Sequence, residues 1–138
     1  MHSYIHKVKY YETDKMGITH HSNYVRWMEE ARMDFLSSVG FGMRTLEDSG
    51  IASPVVSLEC RYLRPTTFDD EIRVDIAPES YSGVKLVMTY RMTDVATGDE
   101  VMTAKSTHCF INQSGKPIAV KRTHPEFDRL LRDLVAAR

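Results

Sequence analysis

A carboxylate, a turn glycine and a histidine pair stand together in Thr13-Asp14-Lys15-Met16-Gly17-Ile18-Thr19-His20-His21-Ser22-Asn23-Tyr24, just before a helical pattern begins. A helix start offers backbone N–H groups with no intrahelical partner and a partial positive charge. Both suit the oxygen of a carbonyl that becomes negative during attack. Asp14 then meets the carbon from the other side. Its reference pKa of about 3.9 leaves it ionised at neutral pH, ready to attack directly or to activate water. His21 is suited to protonating a leaving group or orienting water, because imidazole changes charge near neutrality. Each residue also has a structural reading. Asp before Gly commonly forms an Asx-turn, a histidine packs beside a helix start, and Gly17 supplies a backbone shape that a side chain would hinder. No HExxH or similar spacing accompanies His20 and His21, so neither a metal nor another cofactor is expected.

The elements that must position these groups are legible as changes of period. Tyr4 to Tyr11 alternates, with Tyr4, His6, Val8 and Tyr10 on one face, and predicts a half-buried strand. From Asn23 to Val39 the apolar residues Tyr24, Trp27, Met28, Ala31, Phe35, Leu36 and Val39 recur at three- and four-residue steps. This predicts a helix of about 17 residues and roughly 25 Å. Ser22 is the expected N-cap and Gly40 the left-handed stop. A connector from Phe41 to Gly50 follows. Four alternating runs then mark strands: Val56 to Tyr62, Ile72 to Ile76, Val84 to Met92, and Val101 to Ile111. Turns at Asp69-Asp70, Ser82-Gly83 and Thr97-Gly98-Asp99 imply antiparallel neighbours. Thr123 and Glu126 resemble a capping box before a short amphipathic helix carrying Phe127, Leu130, Leu131, Leu134 and Val135. Its mixed polar face favours docking on this fold or a partner over a membrane.

The order is strand, long helix, four strands, short helix, which predicts an α+β arrangement with one sheet face buried on the long helix. The 138 residues fit one domain, 1–138, with one core. Open sheet edges invite association, so a homodimer with the site at the seam is expected. Eighteen Lys and Arg against nineteen Asp and Glu leave a net charge of −1. Such a balance provides no bulk field for nucleic acid or an anionic membrane. Cys60 and Cys109 have no CxxC or metal spacing and read as small buried hydrophobes. The polar opening and the lack of an apolar run of about 20 residues make a cytoplasmic protein the expectation.

The residues from Val8 through Thr13-Asp14-x-x-Gly17-Ile18-Thr19-His20-x-Ser22-Asn23-Tyr24, then Pro54-Val55-Val56 and Tyr62-x-x-Pro65-x-x-x-Phe68-Asp69-Asp70-Glu71, resemble the hotdog-fold acyl-CoA thioesterases of the 4-hydroxybenzoyl-CoA thioesterase-like branch. The resemblance implies a five-stranded antiparallel sheet wrapped around a long central helix, in a homodimer that often pairs again into a homotetramer. It also implies hydrolysis of acyl-CoA to a free acid and CoA. Asp14 matches the family's catalytic acid, acting as nucleophile or general base. His21 matches the position whose backbone N–H polarises the thioester carbonyl, and a histidine there is thought to assist in some bacterial members. Gly17, Asn23 and Tyr24 belong to the same motif. Arg61 and Arg64 are candidates for CoA phosphates, being fixed bidentate donors on or just after a strand, as are Lys85, Lys121 and Arg122. The fourth strand begins Ser82-Gly83-Val84-Lys85, where many relatives carry a basic or serine-rich stretch. Two other readings compete: a non-hydrolysing acyl-CoA-binding protein, and a hotdog enoyl-CoA hydratase, whose Asp and His normally lie five residues apart in a motif not evident here.

Overall fold

The computed structural model of the protein describes residues 1–137. Five strands, β1 (His2–Lys7), β2 (Val55–Tyr62), β3 (Glu71–Tyr81), β4 (Lys85–Asp94) and β5 (Glu100–Cys109), form one antiparallel sheet in the order β1-β3-β4-β5-β2. The long helix α1 (Ser22–Ser38) lies against one face, and α2 (Met43–Asp48), α3 (Val120–Thr123) and α4 (Pro125–Ala136) complete the chain. Among the described residues no helix is long and apolar enough to cross a membrane.

Alternation and register together build the core. Ile76, Tyr90, Ala104 and Cys60 lie opposite one another across β3, β4, β5 and β2, and one row over Val74, Met92, Met102 and Tyr62 do the same. Residues opposite each other share a face, so one side of the sheet is largely apolar, with Ser106 and His108 as buried polar members of it. The α1 stripe of Tyr24, Trp27, Met28, Ala31, Phe35 and Leu36 packs on it, with Trp27 and Ala31 fully buried. The expected amphipathic C-terminal helix docks on this same fold. Phe127 of α4 meets Phe110 and Phe41 at ring distances of 5.9 and 4.9 Å.

The structure departs from the sequence pattern at five places. The first strand stops at Lys7, and Tyr10–Glu12 forms a 3-10 turn that leaves Tyr10 and Tyr11 exposed. The buried Glu12 carboxylate draws the chain inward by accepting the Lys9 N–H at 2.7 Å. The connector after Gly40 contains α2. The last strand ends at Cys109, and Ile111 makes only isolated bridges to Ala52 and Pro117. Thr123 caps nothing: α4 starts at Pro125, whose missing N–H is no loss at that position. Finally, Asp69-Asp70 does not join neighbouring strands. β2 pairs with β5 at one edge and β3 lies beyond β4, so residues 63–70 carry the chain back across the start of α1.

Candidate active site

That returning segment and the 3-10 turn clamp the Asp14 loop from two sides. Glu12, buried, accepts from Lys9 N–H and His6 Nε2 on Oε1 (2.7 and 2.8 Å) and from Trp27 Nε1 on Oε2 (2.8 Å). Burial pushes its carboxyl pKa up, but the bonds from Lys9, His6 and Trp27 outweigh that and hold it below the ordinary glutamate value. Its backbone carbonyl receives the His20 N–H at 2.9 Å and the Asn23 side-chain amide at 3.0 Å. One residue therefore anchors the loop's entry, its exit and the long helix. The sequence pattern hid it, because Glu12 reads as a polar position at the end of a strand.

Between Thr13 and Thr19, which bridge each other, the loop turns tightly. Asp14 N–H donates to Ile18 O and Gly17 N–H to Asp14 O, both at 2.9 Å. Gly17 sits at φ +78°, a left-handed conformation that side chains disfavour, although a Cβ there would meet no atom within 4 Å. Met16 N–H donates to Asp14 Oδ1 at 2.8 Å. The Asx-turn is thus present, and it holds one carboxylate oxygen while Oδ2 has no partner among the described residues. The returning segment supports the loop from behind. Thr19 N–H donates to Thr66 O (2.8 Å), the Thr19 and Thr66 hydroxyls bond each other (2.7 Å), and the Thr67 hydroxyl donates to Gly17 O (2.7 Å).

The helix start takes an unexpected form. Ser22 is the first helical residue rather than the N-cap, and its N–H donates to the His20 ring at Nδ1, 3.3 Å away. Asn23 is buried and its side-chain amide also donates to His20 O, at 3.2 Å, so it fastens the turn. The His21 N–H has no acceptor among the described residues. Its ring is exposed and stacks on His20 at 4.4 Å.

A hollow of about 280 Å³ opens beside this start, lined by His21 and Tyr24 of the motif with Ile18, Tyr62, Arg64 and Pro65. Tyr24 is buried, its hydroxyl bonded to Thr66 Oγ1 at 2.9 Å, and its ring meets Tyr62 edge-on at 5.4 Å. Arg64 is at the rim, 3.9 Å from Asp99. Thus His21, Tyr24 and Arg64 come together, Gly17 and Asn23 shape the loop, and Asp14 stands in that loop without lining the hollow. Arg61 is not brought there. Strand alternation turns Cys60 and Tyr62 toward α1 and leaves Arg61 in a separate surface depression with Glu59, Thr103 and Lys105.

An antiparallel five-stranded sheet packed on a long helix, with an acid-bearing loop at the helix start, is the arrangement expected of a hotdog-fold thioesterase. Residues 8–131 match the model of the Thioesterase-like superfamily. The Bacillus subtilis protein YneP, provisionally named an acyl-CoA thioesterase, is 35% identical over 122 residues, which span 88% of each chain. A 1,4-dihydroxy-2-naphthoyl-CoA hydrolase of Thermosynechococcus vestitus is 28% identical over 109 residues, 78% of this chain and 74% of that one. The crystal structure of a DHNA-CoA thioesterase from Staphylococcus aureus superposes with a TM-score of 0.92 at 30% identity, covering 97% of this chain and 90% of that one. The chain belongs to the thioesterase-like superfamily, has the hotdog fold and is an enzyme of the thioesterase class.

Proposed function

We propose that the protein hydrolyses acyl-CoA, with Asp14 as nucleophile or general base and the His21 N–H receiving the thioester oxygen. The observation that carries this reading is a carboxylate with one oxygen fixed and one free, in a rigid loop that ends at a helix start whose first N–H is unoccupied. A thioester oxygen accepts hydrogen bonds poorly in the ground state. A fixed donor therefore acts mainly on the oxyanion that forms during attack, where losing one such bond costs about 2.7–4 kcal/mol of barrier. His21, exposed beside the hollow, is placed to hand a proton to the departing CoA thiolate. Arg64 at the rim takes a CoA phosphate.

The same reading includes a homodimer. Every residue of β2 is exposed or half-exposed, including Val55 and Val56 at 52% each and Leu58 and Tyr62. This edge is long, apolar and unpaired on one side, a surface that natural sheets cover. A second copy paired along β2 closes the hollow at Tyr62, and two such dimers give the tetramer. Cys60 and Cys109 are free thiols, which suits a reducing cytoplasm.

Thiol release from a panel of acyl-CoAs tests the reaction. Asp14→Asn retains an oxygen for the Met16 N–H, so it is expected to fold normally and to lose at least about a hundredfold in kcat. Turnover equal to the parent's removes Asp14 from the chemistry. The Asx-turn itself favours one second reading, an acyl-CoA binder without turnover, for which the parent protein leaves every thioester intact while still binding it.

A further inference from the structure

A second hollow, of about 130 Å³, lies along the same seam between α1 and β2, walled by Met28 and Leu58 and floored by Arg32, Tyr90, Ser106 and His108. It is one helical turn beyond Tyr24 and four residues back along β2 from Tyr62, so the two hollows follow one line. Arg32 is ten residues past Ser22, about 15 Å along the axis at 1.5 Å per residue. Its guanidinium reaches His108 and Ser53 O, at the end of β2 away from Tyr62.

The floor is a chain of hydrogen bonds with surplus donors. Arg32 is only 9% exposed and His108 only 1%. Arg32 Nη1 lies 2.7 Å from His108 Nδ1, closer than the 3.3 Å from that nitrogen to Ser53 O. Nδ1 is therefore assigned as the acceptor and Nε2 as the protonated nitrogen. Nε2 then donates to Ser106 Oγ at 2.7 Å, and Ser106 Oγ bonds Tyr90 Oη at 2.7 Å. Whichever of those two hydroxyls donates to the other, one hydroxyl hydrogen is left without an acceptor. Among the described residues all hydrogen bonds of Arg32 run from Nη1, which leaves Nε and Nη2 without an acceptor there. The histidine adds no positive charge, since burial and then the neighbouring Arg32 lower its pKa to about 4. Among the described residues no carboxylate lies within ion-pair distance of Arg32. Glu29, one turn earlier on α1, is an exposed carboxylate at the rim.

A buried cation without a counter-ion is costly, and an arginine fork matches a carboxylate in two parallel bonds. We propose that this hollow receives the far end of the acyl group, and that Arg32 with the Tyr90–Ser106 hydroxyl pair selects acyl groups ending in a carboxylate, the monothioesters of dicarboxylic acids. Apolar walls at Met28 and Leu58 accommodate the methylene chain between the two ends. The inference rests on the thioesterase reading above and names its substrate class.

Length-matched pairs test it: adipoyl-CoA against hexanoyl-CoA, and suberoyl-CoA against octanoyl-CoA, by kcat/KM. The carboxylate-ended member of at least one pair is expected to lead by about tenfold or more, one charged hydrogen-bonded contact on the affinity scale. Arg32→Met is expected to bring that ratio to about one or below, while Arg26→Met, on the exposed side of α1, keeps it. Should Arg32→Met fail to fold, Tyr90→Phe removes only a hydroxyl and is expected to lower the ratio severalfold. Non-hydrolysable thioether analogues of the same pairs, titrated by calorimetry, separate the two readings. Preferential binding of the carboxylate-ended analogue without turnover keeps this inference and overturns hydrolysis. Turnover with equal rates across each pair overturns this inference alone. So does a preference for phenolic over carboxylate-ended groups, or a carboxylate preference that survives both Arg32→Met and Tyr90→Phe.

Discussion

His108 makes the protein's acid stability calculable. Its pKa falls from 6.5 to about 4 on folding, because burial and then Arg32 disfavour the imidazolium. Between those two values the unfolded chain binds a proton that the folded chain refuses, so stability declines as pH falls from above 6.5 toward 4. At about 1.4 kcal/mol per unit the full effect approaches roughly 3.4 kcal/mol, and about 2.5 kcal/mol of it is expressed between pH 7.5 and 4.5. Glu12 and Asp128, whose carboxyls are held below their ordinary values, lose their contributions at lower pH and stay largely outside this window. His108→Gln supplies the control, since a glutamine carbonyl accepts from Arg32 and its amide donates to Ser106 with nothing to titrate. Urea unfolding at fixed protein concentration gives both stabilities. The parent is expected to lose about 2.5 kcal/mol more than His108→Gln between pH 7.5 and 4.5. Parallel curves for the two proteins would show that His108 is not a buried neutral base, and the reading of Arg32 as the hollow's sole cation would fall with it.

Gly17→Ala meets no steric obstacle, so its effect isolates the left-handed backbone. A cost of about 1–2 kcal/mol by chemical unfolding is expected, with lower kcat as the Asp14 loop shifts. Glu12→Gln keeps the size but loses the charge that His6, Lys9 N–H and Trp27 address. It is expected to destabilise by about 2–3 kcal/mol, the cost of replacing a buried charged acceptor of three hydrogen bonds by a neutral amide, and to flatten the stability curve below pH 4.5. Val56→Glu places a charge on the exposed β2 edge and is expected to give monomers in sedimentation experiments, with turnover falling alongside the dimer fraction.

Period and turn chemistry revealed most of the fold. The alternation of Ile72, Val74 and Ile76, and of Leu86, Met88, Tyr90 and Met92, marks one buried sheet face because a pleated strand can present it no other way. Trp27, Ala31 and Phe35 mark the helix for the same kind of reason. What alternation cannot express is which strand lies beside which. Nothing local in Val56 to Tyr62 distinguishes pairing with β5 from pairing with β3, and the turn residues Asp69-Asp70 read as a hairpin although they end a crossing segment. Likewise Tyr10 continues the alternation of Tyr4, His6 and Val8. Only the buried carboxylate of Glu12, with partners on β1, on α1 and at Lys9 between them, breaks it.

The site divides along the same line. The turn from Asp14 to Gly17 and the helix start after His21 were legible because a loop of this kind depends on neighbours in sequence, being closed by the local bonds among Asp14, Met16, Gly17 and Ile18. Arg64 and Arg61 were equal candidates in sequence, three residues apart. The pleat turns Arg61 to the face away from α1, while Arg64 lies past the end of β2 and reaches the rim beside Tyr62. His108 carried no visible role at all, since its meaning depends on Arg32, a residue that reads as the polar side of an amphipathic helix. Folding turns that polar position inward against β5, where its guanidinium meets His108 and, among the described residues, no carboxylate within ion-pair distance, an arrangement that only tertiary structure can express. On the function proposed above, the loop around Asp14 is where the thioester is cleaved. Residues that sequence keeps apart, Arg32 on α1 with Tyr90, Ser106 and His108 on the sheet, line the hollow proposed for the far end of the acyl group.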